Sequence, residues 1–154
     1  MSINIICVVI KVDRYYDLEI NILSCILQKP KLIDKVILED KHFIKFKKLW
    51  MFLRACYKKF GDLDLNIMYS IIKNKYQFVE YIEWLIEVEP NTSNFDKYQK
   101  QIIDLFNENK KNKWIRENIY DLANNLLIKN IEVEDFRCRV DEIYNNADKL
   151  FKEE

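Results

Sequence analysis

The chain contains a single glycine, Gly61, among its 154 residues. Glycine adopts positive φ angles most readily, so a chain with one glycine has almost no place for tight turns without strain. Two-residue β-hairpins of the Asn-Gly kind are absent, and neither a Walker A loop nor a dinucleotide-binding fingerprint can be written with one glycine. The sequence therefore favours helices, and we expect an all-α protein that is not an enzyme.

The missing glycine-rich loop predicts that the protein neither binds nor hydrolyses ATP. Backbone N–H groups of such a loop are what enclose the phosphates of a nucleotide. A phosphate-release assay on a pure sample should therefore give the same rate with and without the protein. Protein-dependent release of phosphate would contradict this prediction.

Composition and charge exclude several classes of site. The 25 basic and 25 acidic side chains cancel, so no net charge attracts the chain to nucleic acid or to anionic membranes. The only histidine, His42, has no cysteine neighbour, and no CxxC motif is present, so we expect no metal and no cofactor. The cysteines, predicted to be free thiols, are Cys7, Cys25, Cys56 and Cys138.

The first apolar segment, residues 3–10, is rich in β-branched side chains, which prefer strands. It is too short to span a bilayer, and it lacks the basic region and cleavage site of a signal peptide. We expect either an irregular packed arm or an edge that pairs with another copy. The expected location of the protein is the cytoplasm, without a membrane.

From Asp17 to residue 93, apolar positions recur every three or four residues, as on one face of a helix. Gly61 and Pro90 should end two of these helices, and Asp64 can cap a third. The pattern predicts a small helical globule over residues 1–93. The expected core of the whole chain includes Leu23, Leu27, Phe52, Leu85 and Tyr98.

Residues 94–154 show a different spacing, in which apolar positions alternate between steps of four and three. A spacing near 3.5 with polar flanks is typical of paired helices. One stripe runs from Ile115 to Leu126, and a second runs from Val133 to Leu150. The sequence therefore predicts a two-helix antiparallel hairpin, joined near Lys129 and Asn130, after the globule.

A second apolar set on the hairpin lies off these stripes. Two helices that pack on each other hide one face each, so apolar residues outside the stripes stay exposed, and such patches mark interfaces. We expect this set to form a surface for self-association, as a homodimer or higher oligomer, or for a partner protein. Its members are Trp114, Tyr120, Leu127 and Tyr144.

Residues 41–60 contain no acidic side chain, and aromatic residues are interleaved with the basic ones. Such a stretch is typical of surfaces that bind single-stranded nucleic acid. The alternative, which we favour, is that the aromatics are buried and the cations are the solvated face. The residues of this candidate nucleic-acid surface are Lys45, Lys47, Lys48, Arg54, Lys58 and Lys59.

An acidic counterpart follows between residues 80 and 89. Paired carboxylates can act in acid–base catalysis or bind metals, but this set has no histidine partner and no third ligand. A solvated helix face, or a contact for the basic stretch of another subunit, is the favoured interpretation. The residues are Glu80, Glu83, Glu87 and Glu89.

Four short segments form an ordered set of motifs. They read EINILSCILQKP at 19–30, DKHFI at 40–44 with Met51-Phe52 after it, GDLDL at 61–65, and PNTSNFDKYQKQI at 90–102. In this order they resemble the N-terminal domain of DnaB-type replicative helicases. Ser24 stands where the family usually has glycine, Lys48 stands in place of a family histidine, and the turn at Gly61 is one residue shorter.

The resemblance implies a helical globule followed by a hairpin. In the family this domain is the N-terminal collar of a hexameric helicase, which contacts the primase and the helicase loader, and the ATPase motor is a separate domain. The chain stops at Glu154, where a linker to that motor would begin. The resemblance therefore implies an interaction domain without the motor.

The expected function is that of a DNA replication interaction protein, encoded by a phage or mobile element. It would bind the replicative helicase, primase or helicase loader to recruit, load or inhibit the helicase. One alternative is an N-terminal fragment or split subunit of a helicase, for which a neighbouring reading frame with Walker motifs would be diagnostic. Another is a single-stranded DNA-binding protein, whose affinity would fall with salt.

Overall fold

The structure is a computed structural model that describes the backbone of residues 3–72 and 76–152, and side chains for residues 14–72 and 78–152. Over this part of the chain every regular element is a helix, so the predicted all-α class is confirmed. The thiol of Cys7 lies outside the described side chains, whereas Cys25 and Cys56 are buried free thiols and Cys138 is an exposed one.

Six α-helices and three short 3₁₀ helices follow one another in the described residues. The 3₁₀ helices are Pro30–Lys35, Asp40–His42 and Thr92–Asn94. The α-helices are α1 (Ile3–Gln28), α2 (Lys47–Phe60), α3 (Leu65–Ile72), α4 (Tyr76–Glu87), α5 (Phe95–Leu127) and α6 (Val133–Leu150).

The expectation of an arm or strand over residues 3–10 is wrong, because these residues form the first turns of α1. β-branched side chains lower helix propensity by only a fraction of a kcal/mol per residue. Propensity is therefore a weak guide when the residues that follow continue the same helix.

The helix ends follow the expected local chemistry. Gly61 has φ 72° and ends α2, while its N–H donates to the carbonyl of Tyr57. The carboxylate of Asp64 accepts the N–H of Ile67 at 3.1 Å and so caps α3. Before α5, the side chain of Asn91 accepts the N–H of Ser93 at 3.1 Å.

Two compact units make up the chain, and the first ends at Ile103 while the second begins at Asp104. The expected boundary lay between residues 93 and 94, just before α5 begins.

In the first unit α1 packs against α4, and their side chains form the centre of the core. Of the expected core residues, Leu23 and Leu85 are fully buried, whereas Leu27, Phe52 and Tyr98 are half-buried.

In the second unit, contacts join α6 to the C-terminal part of α5 in opposite chain order. Lys111 on α5 pairs with Asp148 near the end of α6, at 2.6 Å. Nearer the turn, a groove is lined by Leu122 and Asn125 on one side and by Arg139 and Ile143 on the other. The buried apolar residues of this unit are Ile115, Leu122 and Ala147.

None of the helices over the described residues combines the length and the apolar character needed to cross a bilayer. The longest, α5, carries many charged side chains along its length.

Candidate protein interaction surfaces

Three of the four residues predicted for the hairpin surface are exposed. Tyr120, Leu127 and Tyr144 expose 67%, 78% and 50% of their surface. Tyr120 and Leu127 are two turns apart on α5, and they lie away from the side that buries Ile115 and Leu122. The helices of the second unit therefore leave each of these three apolar side chains at least half uncovered.

Trp114, the fourth residue, has a different environment. Its ring is half-buried and meets the ring of Phe151 edge to face, with centroids 6.2 Å apart. Trp114 therefore contributes to packing within the second unit. We define the hairpin surface from here on as Tyr120, Leu127 and Tyr144.

The segment that follows Leu127 carries two further exposed apolar residues. Ile128 is 65% exposed and Val133 is 68% exposed. The spacing placed Val133 and Leu150 on the inner stripe of α6, but both are exposed because they lie at the two ends of that helix. A periodic pattern identifies a helix face, but it does not show where the facing helix ends.

Three aromatic residues of the basic stretch belong to the core, whereas Phe60 at its end is 42% exposed. Phe43 and Trp50 stack with ring centroids 4.8 Å apart, and they and Phe46 are at most 2% exposed. A surface that binds single-stranded nucleic acid needs accessible rings on which bases stack. The burial of these rings favours the interpretation in which the aromatics form the core and the cations form the solvated face.

Arg54, one of the six predicted cations, is held by a neighbouring carboxylate. Its guanidinium donates to both oxygens of Asp40, at 2.6 and 3.1 Å, and Trp50 donates to the same carboxylate at 2.9 Å. Although burial acts to raise the pKa of Asp40, these hydrogen bonds hold it below its usual range. The other five cations are exposed, and Lys45 lies over the rings of Tyr16 and Phe46.

Glu19 is a buried carboxylate that fastens the segment before α2 to α1. It accepts the backbone N–H groups of Ile44 at 2.7 Å, Lys45 at 3.4 Å and Phe46 at 3.5 Å. Burial raises the pKa of Glu19 to about 7, and the three backbone hydrogen bonds oppose that shift. Its position makes Glu19 a structural residue rather than a candidate acid or base in an open site.

Gln99 makes a second buried polar link, from α5 to the chain before α2. Its side-chain oxygen accepts the N–H of Ile37 at 2.7 Å, and its amide donates to the carbonyl of Lys35 at 3.2 Å. The periodicity gave no sign of this role, because a lone glutamine in a polar helix is ordinarily solvated.

His42 has a structural place. Its Nδ1 accepts the N–H of Glu39 at 2.9 Å, and Tyr15 donates its hydroxyl to the carbonyl of His42. Burial, together with the nearby Lys41, lowers the pKa of His42. Across the described residues, no three side chains of the His, Cys, Asp or Glu types are grouped so that they could hold a metal ion.

Concave sites lie among the described residues of the first unit, and the sequence predicted none of them as a concavity, although Lys45, Lys47 and Lys48 of the predicted nucleic-acid surface line one. A cleft of about 750 Å³ is lined by Lys29, Lys31 and Lys35 together with Tyr57 and Asp62. The second site, which we name the basic groove, has a volume of about 400 Å³ and lies between the start of α2 and α4. Its lining includes Ile44, Lys45, Lys47, Lys48, Phe78 and Tyr81.

Comparisons of the chain with protein-family models, with curated proteins and with solved structures find no match.

Proposed function

We propose that this protein is an interaction protein of DNA replication, related in fold to the N-terminal collar of DnaB-type helicases. It binds a replicative helicase, a primase or a helicase loader, and so recruits, loads or blocks the helicase. It acts through binding, without catalysis and without a cofactor. The observation that carries the proposal is the exposed apolar surface of the hairpin.

The hairpin surface supports a binding role on physical grounds. Tyr120 and Leu127 are both more than two-thirds exposed, and Ile128 and Val133 extend the patch at the turn. Large apolar side chains gathered on one part of a monomer commonly mark a contact for another protein. Tyrosine is also among the residues that contribute most to binding energy at such contacts.

The residues that carry the family resemblance support it by the roles they take in the fold. Glu19 fastens the segment before α2, Asp40 holds Trp50 and Arg54, and Gly61 ends α2. Asn91 caps the turn that leads into α5. These residues fix turns and helix ends, which are the features that two proteins of one fold share.

The mechanism we infer is competition or templating. A collar-like protein presents a helical surface similar to that of a helicase collar, so it can occupy the partner of the collar or pair with the collar itself. Occupying the partner blocks assembly of the helicase, whereas pairing with the collar brings the helicase to a site chosen by this protein. Both outcomes use the same surface, and neither needs an ATPase.

A binding experiment with separate partners tests the proposal. We expect the protein to retain one of three purified host proteins, the replicative helicase, the primase or the helicase loader, in a pull-down. The double variant Tyr120→Glu with Leu127→Glu should weaken this retention at least about tenfold, because two charges would have to be buried in an apolar contact. Its helical circular dichroism should match that of the unchanged protein.

The matched control places the same two charges at exposed polar positions, Asn109→Glu with Asn145→Glu. Retention should then stay at the level of the unchanged protein. Failure of all three host proteins to bind would contradict the proposed function. Equal weakening by the control pair would show that charge, and not the hairpin surface, determines binding.

A further inference from the structure

We propose that the first unit pairs with a second copy of this chain, with the acidic face of α4 from each copy lying against the basic groove of the other. The acidic face comprises Glu80, Trp84 and Glu87, and the groove is the one beside Lys45, Lys47 and Lys48. This pairing goes beyond the proposed function, because it uses neither the hairpin surface nor a replication partner.

The lining of the basic groove carries positive charge, and the carboxylates of Glu19 and Asp40, which attract Lys45 and Lys47, lie outside that lining. Lys45, Lys47 and Lys48 line it, and its lining contains no carboxylate. Over the described part of the chain, none of these three lysines forms an ion pair. Lys47 and Lys48 also stand in the first turn of α2, which holds no acidic residue. The positive end of the helix dipole disfavours cations there and favours an anion from outside.

The acidic face of α4 has the complementary character. Glu80, Trp84 and Glu87 are spaced by four and three residues, so they share one side of the helix. All three are exposed, Trp84 by 47%, and within the described residues neither carboxylate forms an ion pair. Glu83 lies one turn before Glu87 at the edge of this face, and its charge adds to the burial that raises the pKa of Tyr69 on α3.

The groove and the acidic face adjoin on the same helix. Tyr81 forms part of the groove wall, and Trp84 follows one turn later. A two-fold axis beside α4 therefore brings the acidic face of each copy to the groove of the other, and both contacts form together. Such a contact is self-complementary and closes as a dimer.

The groove also offers apolar contacts for an aromatic anchor. Ile44 is 54% exposed at its edge, and the rings of Phe78 and Tyr81 form part of its wall. A tryptophan with a charged rim is a frequent centre of binding energy in protein interfaces. Trp84 of the second copy supplies that anchor, and the ion pairs around it set the orientation.

Salt dependence is the first test. Light scattering or sedimentation of the full chain at micromolar concentration should show a dimer at about 0.05 M salt, and the dimer fraction should fall clearly at about 0.5 M, where the Debye length is only a few ångströms. A strict monomer at low salt would overturn the proposal. A dimer that salt leaves unchanged would overturn it as well.

A charge exchange is the decisive test. The variant Glu80→Lys with Glu87→Lys, and separately the variant Lys47→Glu with Lys48→Glu, should each weaken dimer formation at least about tenfold, because like charges then face each other. An equimolar mixture of the two variants should restore association, since opposite charges meet again at both contacts. Circular dichroism should show unchanged helix content in each.

The remaining outcomes are also decisive. Failure of the mixture to associate would overturn the pairing, as would a dimer that is lost in Tyr120→Glu with Leu127→Glu but kept in both charge variants. Binding of a single-stranded oligonucleotide that requires Lys47 and Lys48, in a protein that stays monomeric without it, would assign the groove to nucleic acid instead. Because these measurements use the protein alone, they are independent of the pull-down with replication proteins.

Discussion

The Leu23→Ala variant is expected to lose about 2–5 kcal/mol of stability, the range for a leucine removed from a fully buried site. Leu23 is 0% exposed on α1, the helix that packs against α4 in the core of the first unit. The loss combines the transfer of apolar surface with the cavity left by the side chain, which a packed core fills only in part. Total stabilities are about 5–15 kcal/mol, so much of the protein could then be unfolded at physiological temperature.

Thermal and urea denaturation followed by circular dichroism measure this effect. The melting temperature should fall by about 10 °C, given the expected free-energy loss and the length of the chain. Leu127→Ala is the matched control, because it removes the same atoms from a side chain that is 78% exposed. Its stability should change by no more than about 0.5 kcal/mol. Equal melting of both variants and the unchanged protein would contradict the assignment of the α1 core face.

Glu19 is expected to make the protein less stable as the pH rises towards neutrality. Burial raises the pKa of Glu19 from 4.5 to about 7 in the folded state. Between these two pKa values the folded protein binds more protons at this carboxyl than the unfolded chain does. The free energy of unfolding therefore falls as the pH rises. The stabilising contribution is complete below pH 4.5 and is lost by about pH 7.

The comparison with Glu19→Gln isolates this effect. The glutamine keeps an oxygen that can accept the N–H of Ile44, but it carries no titrating charge. The free energy of unfolding of the unchanged protein should therefore fall, relative to the variant, by on the order of 3 kcal/mol between pH 4.5 and pH 7. His42, whose pKa is lowered, acts in the opposite direction, but it is present in both proteins and cancels.

Glu132→Gln is the control for this series, because Glu132 is exposed and its side chain makes no capping hydrogen bond. Its stability should follow the unchanged protein at every pH. A constant difference between the unchanged protein and Glu19→Gln across this pH range would show that Glu19 keeps an ordinary pKa.

The sequence by itself determined the helical class and most helix ends, because these depend on local chemistry. A single glycine leaves no tight β-turns, and Gly61 ends α2 with the positive φ that this residue adopts at low cost. Leu23 and Leu85, both expected in the core, are fully buried. The prediction of an arm or strand for residues 3–10 was wrong. Their local preference for strand is weak, and these residues instead form the first turns of α1.

Only the tertiary structure decided which side chains are available to a partner. The rings of Phe43, Phe46 and Trp50 could have formed either a core or a stacking surface. In the fold all three are buried, with Phe43 stacked on Trp50 and Phe46 against Tyr81 of α4. The basic groove joins residues 44–49 to Phe78 and Tyr81, which are far apart in the chain, so no local pattern could show it. Buried polar links such as those of Glu19 and Gln99 have the same origin, since their partners lie across the fold.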